Sequence, residues 1–117
     1  MDKNNQLLNL SQINEITSED PGFKKELIGI FLSQIPEFLK NMKLFFSEQN
    51  LEGLARESHT AKSSVLIFGM ENTGMLLKQI QNLAEKENAN EIPSLLKQVE
   101  TDLIEAFSQL DETIKNL

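Results

Sequence analysis

Hydrophobic residues recur every three or four positions along most of the chain, and no stretch alternates between apolar and polar over a useful length. The spacing predicts amphipathic α-helices, because it places the apolar side chains on one face of each helix. Strands would need the two-residue alternation that is missing here. The pattern therefore predicts an all-α fold.

Residues 1–18 are predicted to form a lead-in segment, in which residues 7–16 are either a short amphipathic helix or an ordered lead-in. Asp20 and Pro21 predict the start of the first long helix, because Asp is a favoured N-cap and proline is favoured at the first helical position. Pro36 is expected to kink or restart this helix, since proline offers no backbone N–H to the preceding turn. The apolar stripe contains Phe23, Leu27, Ile30, Phe31, Ile35, Phe38, Leu39, Met42, Phe45 and Phe46.

The spacing predicts a second long helix over residues 51–68, with Gly69 as its left-handed terminator. Asn72 is placed to cap a third helix, and the polar residues 85–91 are predicted to form the loop that follows. Pro93 opens a final long helix. The apolar positions of the third helix are Leu76, Leu77, Ile80, Leu83 and Ala84. The inward positions of the final helix are Leu96, Val99, Leu103, Ala106, Phe107, Leu110 and Ile114.

Each long helix has one apolar stripe, and short loops join one helix to the next. Such helices bury their stripes most simply in an antiparallel up-down four-helix bundle, here with an additional N-terminal helix. With 117 residues and no evident linker, the chain is predicted to be one domain over 1–117, with the bundle helices within 20–115. This fold alone decides nothing about function.

Composition and charge exclude several functions. The net charge of −7 argues against a nucleic-acid partner, because binding to phosphates needs a basic surface. No apolar run approaches the roughly 20 residues of a membrane span, so no membrane insertion is expected. Residues 1–6 are polar and lack the apolar block of a signal peptide, which predicts the cytoplasm.

The chain has no cysteine and a single histidine, His59. Disulfides, thiol catalysis and Cys-ligated metals are therefore excluded, as are metal sites built from several histidines. A metal site inside a bundle would need several inward carboxylates, whereas Glu85, Glu87 and Glu91 fall in a predicted loop. No metal or cofactor is predicted, and a metal-dependent or other enzyme is the weakest interpretation of this sequence.

A helical wheel at about 100° per residue separates His59 from the buried seam of its helix. The seam residues are Leu51, Leu54, Ser58, Ala61, Val65 and Phe68. His59 lies about 130° from the centre of that seam, which predicts an imidazole that faces solvent. Arg56, Lys62 and Ser63 lie three or four residues from His59 and flank it on the same side of the helix.

Leu66 and Ile67 also fall on the His59 side of the helix. Apolar side chains that face water there suggest a docking surface, although single exposed apolar residues are common and need no special cause. On the next helix, Lys78 and Gln81 share one face. Gln81 can accept a hydrogen bond from one ring nitrogen of His59 and leave the other free to react, although a merely solvated glutamine is the simpler alternative.

A neutral imidazole is a good nucleophile near neutral pH, and a phosphorylated one carries a dianionic group. Lys62, one turn along from His59, can place a positive charge beside the phosphoryl oxygens. Arg56, one turn in the other direction, can add a second cation. Ser63 is small enough for another protein to approach the ring closely.

The segment H-T-A-K-S-S at residues 59–64 resembles the signature of histidine-containing phosphotransfer (HPt) domains, H-x-x-K-G-x-S or a close variant, with a glycine ten residues after the histidine. Lys62 matches the lysine, Ser64 roughly matches the small residue, and Gly69 matches the later glycine. Ser63 departs from the family pattern, which has glycine there so that a partner meets no side chain.

The resemblance implies a four-helix bundle that exposes its phosphorylated histidine on the second bundle helix. It implies a phosphorelay phosphocarrier, in which His59 accepts a phosphoryl group from a receiver-domain aspartate or a donor kinase and passes it to another receiver domain. Family members often place a polar residue of the next helix against the imidazole, and Gln81 lies at a matching position. The implied partners are receiver domains of response regulators or of a hybrid sensor kinase, and the family tendency is monomeric.

The sequence has no P-loop and no G-x-G-x-x-G motif, so no means of binding ATP is evident. The chain is therefore predicted to be a phosphotransfer intermediate and not a kinase, and the Mg²⁺ ion is expected on the receiver. The alternative function is a non-catalytic helical adaptor that binds signalling partners without phosphoryl transfer. Degenerate family members of that kind typically lack the histidine, whereas both His59 and Lys62 are present here.

Overall fold

The computed structural model describes residues 6–117, and within this range the chain forms five α-helices and no strand. The helices are α1 (Ser11–Ile16), α2 (Pro21–Ser47), α3 (Leu51–Ile67), α4 (Glu71–Glu85) and α5 (Ile92–Lys115). The all-α prediction is confirmed. The lead-in helix is shorter than predicted, because the chain becomes helical only at Ser11. The expectations for residues 1–5 lie outside the described residues.

The four long helices pack in a ring, in which α2 and α4 each contact both α3 and α5. Short turns join consecutive helices, so neighbours run antiparallel and the bundle has the predicted up-down topology. The buried apolar side chains between the helices are Ile13, Ile28, Phe31, Ile35, Phe38, Met42, Leu54, Ala55, Ala61, Val65, Phe68, Met70, Leu77, Ile80, Ala84, Ile92, Val99, Leu103, Ala106 and Leu110. None of the helices in residues 6–117 is both long and apolar enough to cross a lipid bilayer.

Three aromatic or aliphatic residues predicted to face the core are exposed instead. Phe23, Ile30 and Phe107 expose 42%, 52% and 38% of their surface. Ile30 and Phe107 are sequence neighbours of the buried Phe31 and Ala106, and a step of one residue turns a helical side chain by about 100°. Phe23 lies in the first turn of α2, outside the packed part of the stripe.

The start of α2 follows the prediction, but its middle does not. The Asp20 carboxylate accepts hydrogen bonds from the backbone N–H groups of Gly22 and Phe23 at 2.9 and 3.1 Å, and Pro21 occupies the first turn. The helix then continues through Pro36, so the expected restart is wrong. Pro36 points to solvent, where its missing N–H is tolerated, while the buried residues on either side hold the helix against the core.

Gly69 ends α3 as predicted, with a positive φ of 72°. The N–H of Gly69 donates to the carbonyl of Leu66 and that of Met70 donates to the carbonyl of Val65, both at 3.0 Å, which is the Schellman arrangement. Met70 is itself the N-cap residue of α4, so the prediction that Asn72 caps this helix is wrong. The turn is so tight that α4 begins one residue before Asn72.

The lead-in segment is bound to this same turn. The backbone N–H of Asn9 donates to the carbonyl of Phe68 at 3.0 Å. A Cβ atom on Gly69 would lie only 2.3 Å from the carbonyl oxygen of Asn9, so the two backbones approach more closely than a side chain allows. Phe68 stacks on Phe31 of α2 with ring centroids 4.3 Å apart. The end of α3 that follows the histidine is therefore fixed from two sides.

The turn between α4 and α5 starts later than predicted. Glu85 is the last residue of α4 and not the first residue of a loop. The predicted start of the final helix is confirmed to within one residue, because α5 begins at Ile92 and Pro93 lies in its first turn.

Candidate functional site

The orientation of α3 sets the position of the single histidine. The predicted seam is confirmed, because Leu54, Ser58, Ala61, Val65 and Phe68 are buried and Leu51 is half-buried. His59 is exposed on the other side of the helix, as the wheel predicts. The seam packs against α4 and α2, so the imidazole cannot turn inward without unpacking the bundle.

Gln81 of α4 lies beside the imidazole. Nδ1 of His59 is 3.4 Å from Oε1 of Gln81, at the long end of the hydrogen-bond range. An amide oxygen is only an acceptor, so this contact requires the proton on Nδ1. The second ring nitrogen, Nε2, then carries a free lone pair. Of the two alternatives for Gln81, the contact with the ring is therefore present, and the simpler one, a merely solvated glutamine, is wrong.

Glu85 is a third member of this group that sequence reasoning missed. The Nε2 amine of Gln81 donates a hydrogen bond to the carboxylate of Glu85 at 3.1 Å. The two residues are four apart in α4, which is the spacing that brings side chains together on a helix. The sequence prediction placed Glu85 in a loop, where a spacing of four residues has no such meaning. A predicted third helix that was one residue longer would have placed Glu85 beside Gln81.

The two predicted cations beside His59 differ in their surroundings. Arg56 forms an ion pair with Glu52 at 2.8 Å, one turn further toward the start of α3. Lys62 is half-buried one turn after His59, and its ammonium group forms no ion pair with any residue of 6–117. Of these two cations, Lys62 is therefore the one that is available to an incoming anion.

The small and apolar residues predicted around the histidine are all at the surface of α3. Ser63 is exposed, and its hydroxyl donates to the carbonyl of His59 at 3.3 Å. Leu66 and Ile67 expose 40% and 38% of their surface. Leu66 lies on the backbone of α4, since a Cβ atom on Gly74 would be 2.7 Å from its Cδ2 atom.

An open groove of about 930 Å³ runs beside the histidine, between the start of α3 and the end of α4. The residues that line it are Gln49, Asn50, Leu51, Glu52, Ala55, Arg56, His59, Thr60, Gln81, Ala84, Glu85 and Glu87. The groove brings together three of the predicted site residues, His59, Gln81 and Arg56. The other five predicted site residues, Lys62, Ser63, Leu66, Ile67 and Lys78, are not part of its lining.

Within residues 6–117 there is no cluster of three or more histidine or acidic side chains arranged to hold a metal ion. The chemistry that these side chains offer is that of one exposed nucleophile. The exposed imidazole contacts Gln81 through Nδ1 and leaves Nε2 free, and Lys62, which forms no ion pair with any residue of 6–117, lies one turn away. This arrangement suits the transfer of an anionic group to and from the ring.

The chain is similar to known proteins both in sequence and in structure. The Hpt domain family model matches residues 26–117 of the chain. A phosphorelay intermediate protein of Candida albicans is 31% identical over 78 residues, which are 67% of this chain and 42% of that protein. The chain thus spans less than half the length of this relative. Histidine-containing phosphotransfer protein B of Pseudomonas aeruginosa PAO1 has a similar structure, with a TM-score of 0.89 and 13% sequence identity over 97% of this chain and 98% of that one.

The structural likeness shows a shared helical bundle, since the sequence identity between the two chains is low. The family match adds the sequence signal, because it covers most of the chain and includes the whole of α3, α4 and α5. His59, Lys62 and Gly69, the three residues that carry the motif, lie inside the matched region. The chain belongs to the Hpt domain family.

Proposed function

We propose that this chain is a phosphorelay phosphocarrier of two-component signalling, with His59 as the residue that accepts and returns the phosphoryl group. The observation that carries the proposal is the exposed imidazole whose Nδ1 faces Gln81, so that Nε2 points its lone pair outward. The family match supports the same assignment. The donor is the phosphorylated aspartate of a receiver domain, and the acceptor is the unphosphorylated aspartate of another receiver domain.

The transfer step needs positioning and charge neutralisation more than covalent help. Nε2 of His59 attacks the phosphorus of the aspartyl phosphate, an N–P bond forms, and the P–O bond to the aspartate breaks. The electron pair of that bond leaves with the aspartate carboxylate. Lys62 neutralises part of the phosphoryl charge, which it can do because no residue of 6–117 pairs with it. The receiver brings the Mg²⁺ ion.

Receiver docking uses the surface around the ring. Leu66 and Ile67 form its apolar part, and the exposed Lys78 lies on the neighbouring helix. Ser63 leaves room for the partner, because its hydroxyl is bonded back to the helix. Arg56 lies at the edge of the surface, where its ion pair with Glu52 can exchange for a contact with the partner. The chain acts as an intermediate and not as a kinase, because no ATP-binding motif accompanies the histidine.

The experiment mixes the purified chain with a panel of receiver domains that carry radiolabelled phosphate and follows the label on denaturing gels. We expect at least one receiver to pass its label to the wild-type chain and none to pass it to the variant His59→Gln. The label on this chain should be lost in acid and retained in base, as a phosphoramidate is. A chain that binds receivers but takes no label would be a helical adaptor.

A further inference from the structure

We infer that Glu85 is a positioning residue that sets the tautomer of His59 through the amide of Gln81. This inference deepens the proposed function and rests on it for its consequence in phosphoryl transfer. The geometry itself is a chain of two contacts, from the Glu85 carboxylate to the Gln81 amide at 3.1 Å and from that amide to the imidazole at 3.4 Å.

A glutamine amide alone does not select a tautomer. Rotating the amide by half a turn exchanges its oxygen for its amine, and the amine would donate to a ring nitrogen that carries a lone pair. An ionised carboxylate beside Gln81 removes this ambiguity, because it accepts hydrogen bonds and offers no proton. The amine must face Glu85, and the oxygen must then face Nδ1 of His59.

The consequence for the chemistry follows from the charge on the ring. A neutral imidazole with its proton on Nδ1 becomes positively charged as Nε2 forms the N–P bond. The Nδ1 proton stays on the ring and is shared with the Gln81 oxygen. The Glu85 carboxylate polarises that oxygen by bonding the other end of the amide, and its negative charge favours the developing imidazolium. No further reactant is needed for this step.

Helix stability does not explain an acidic residue at this position. Glu85 is the last residue of α4, where the helix dipole disfavours a negative charge, and no basic residue lies in that last turn. Its side chain is exposed, and it forms no ion pair with another residue of 6–117. Its hydrogen bond with Gln81 is the one side-chain interaction that the described part of the chain shows for it.

The histidine is the only one in the chain, so its tautomer can be read without assignment problems. The experiment records long-range proton–nitrogen correlation spectra of isotope-labelled full chain at alkaline pH, where imidazole is neutral. The variant Glu85→Lys replaces the acceptor by a donor, which favours the opposite amide orientation. The control is Glu87→Lys, which makes the same charge change in the same groove on a residue with no hydrogen bond to Gln81.

We expect the wild-type ring to carry its proton mainly on Nδ1. Glu85→Lys should lower the ratio of the Nδ1–H to the Nε2–H form by about three- to tenfold, the range of an exposed charge-assisted hydrogen bond. Glu87→Lys should leave this ratio unchanged, and circular dichroism should show the same helicity in all three proteins. The rate at which phosphoramidate, a small-molecule donor, phosphorylates the chain should fall in Glu85→Lys alone.

An unchanged tautomer ratio in Glu85→Lys would overturn the inference. An equal change in Glu87→Lys would also overturn it, because the effect would then come from charge in the groove and not from the amide. Neither spectrum depends on a partner protein. If the tautomer responds as expected but no receiver transfers its phosphate, the proposed function fails while the positioning role of Glu85 stands.

Discussion

Ser63 donates its hydroxyl hydrogen bond to the backbone carbonyl of His59, one turn back on α3, over a distance of 3.3 Å. Serine takes the place of the glycine that the HPt signature has at this position. Because the helix itself accepts the hydroxyl, the side chain lies along α3 and does not extend toward the ring. Serine in place of glycine at this position therefore takes little of the space that a partner needs near the ring.

The variant Ser63→Gly tests this directly. We expect its rate of phosphoryl transfer from a receiver to stay within about threefold of the wild type, since little space is gained. The free energy of unfolding should fall by about 0.5 kcal/mol, because glycine is the poorer helix former. Transfer assays that are quenched at set times measure the rate, and urea denaturation measures the free energy of unfolding. A rise in transfer rate well beyond this range would show that the serine obstructs the partner.

In the proposed transfer step, Lys62 is the cation that neutralises the phosphoryl group. We expect Lys62→Ala to slow transfer by about tenfold, which corresponds to about 1.4 kcal/mol of lost charge stabilisation in the transition state. Helicity and thermal stability should change little, because the ammonium group pairs with no residue of 6–117. The matched control is Lys97→Ala, an exposed lysine on α5. Equal slowing in both variants would argue for a loss of overall charge instead.

A substitution at Leu66 should impair receiver docking and leave the reactivity of the imidazole intact. The variant Leu66→Ser removes an apolar side chain that is 40% exposed beside the site, so the KM for a phosphorylated receiver should rise by about tenfold. Its reaction with phosphoramidate should be unchanged, because that donor needs no docking surface. Ile104→Ser is the control, since Ile104 is exposed on α5, which lies diagonally across the ring of helices from α3. An equal rise in KM in Ile104→Ser would show that Leu66 is not part of a specific docking surface.

Two glycines should respond to substitution in opposite directions. Gly69→Val should lower the free energy of unfolding by about 1 kcal/mol or more, because φ is 72° and a Cβ atom would meet the carbonyl of Asn9 at 2.3 Å. Gly29→Ala should raise it by about 0.5–1 kcal/mol, since Gly29 lies inside α2 with nothing within 4 Å of its Cβ position. Chemical denaturation measures both. Unchanged stability in Gly69→Val would be inconsistent with the observed turn.

Hydrophobic periodicity was sufficient to predict the helices and the face of His59, because one buried stripe fixes the rotation of a whole helix. It failed at positions next to the stripe, such as Ile30 and Phe107, where a large side chain sits 100° from a buried neighbour. The capping preference of asparagine failed at Asn72, because the tight turn that Gly69 permits makes Met70 the N-cap residue of α4.

The set of side chains that contact one another at the site was only partly predictable, for a similar reason. Gln81 could be placed opposite His59 from the antiparallel arrangement of two helices, and the 3.4 Å contact agrees. Glu85 could not, because its role depends on whether α4 continues for one more residue. The end of a helix is set by tertiary packing as much as by local sequence. Contacts that lie in a last helical turn are therefore the ones that periodicity misses.

The proposed relay function requires that Nε2 of His59 receives the phosphoryl group. The most direct measurement is phosphorus–proton correlation NMR together with intact-mass analysis of the chain after transfer from a receiver. We predict one acid-labile phosphoryl group, attached to Nε2 of His59, and no added mass on the His59→Gln variant. An acid-stable phosphate, attachment at Nδ1, or equal labelling of His59→Gln would show that Nε2 of His59 is not the phosphoryl acceptor.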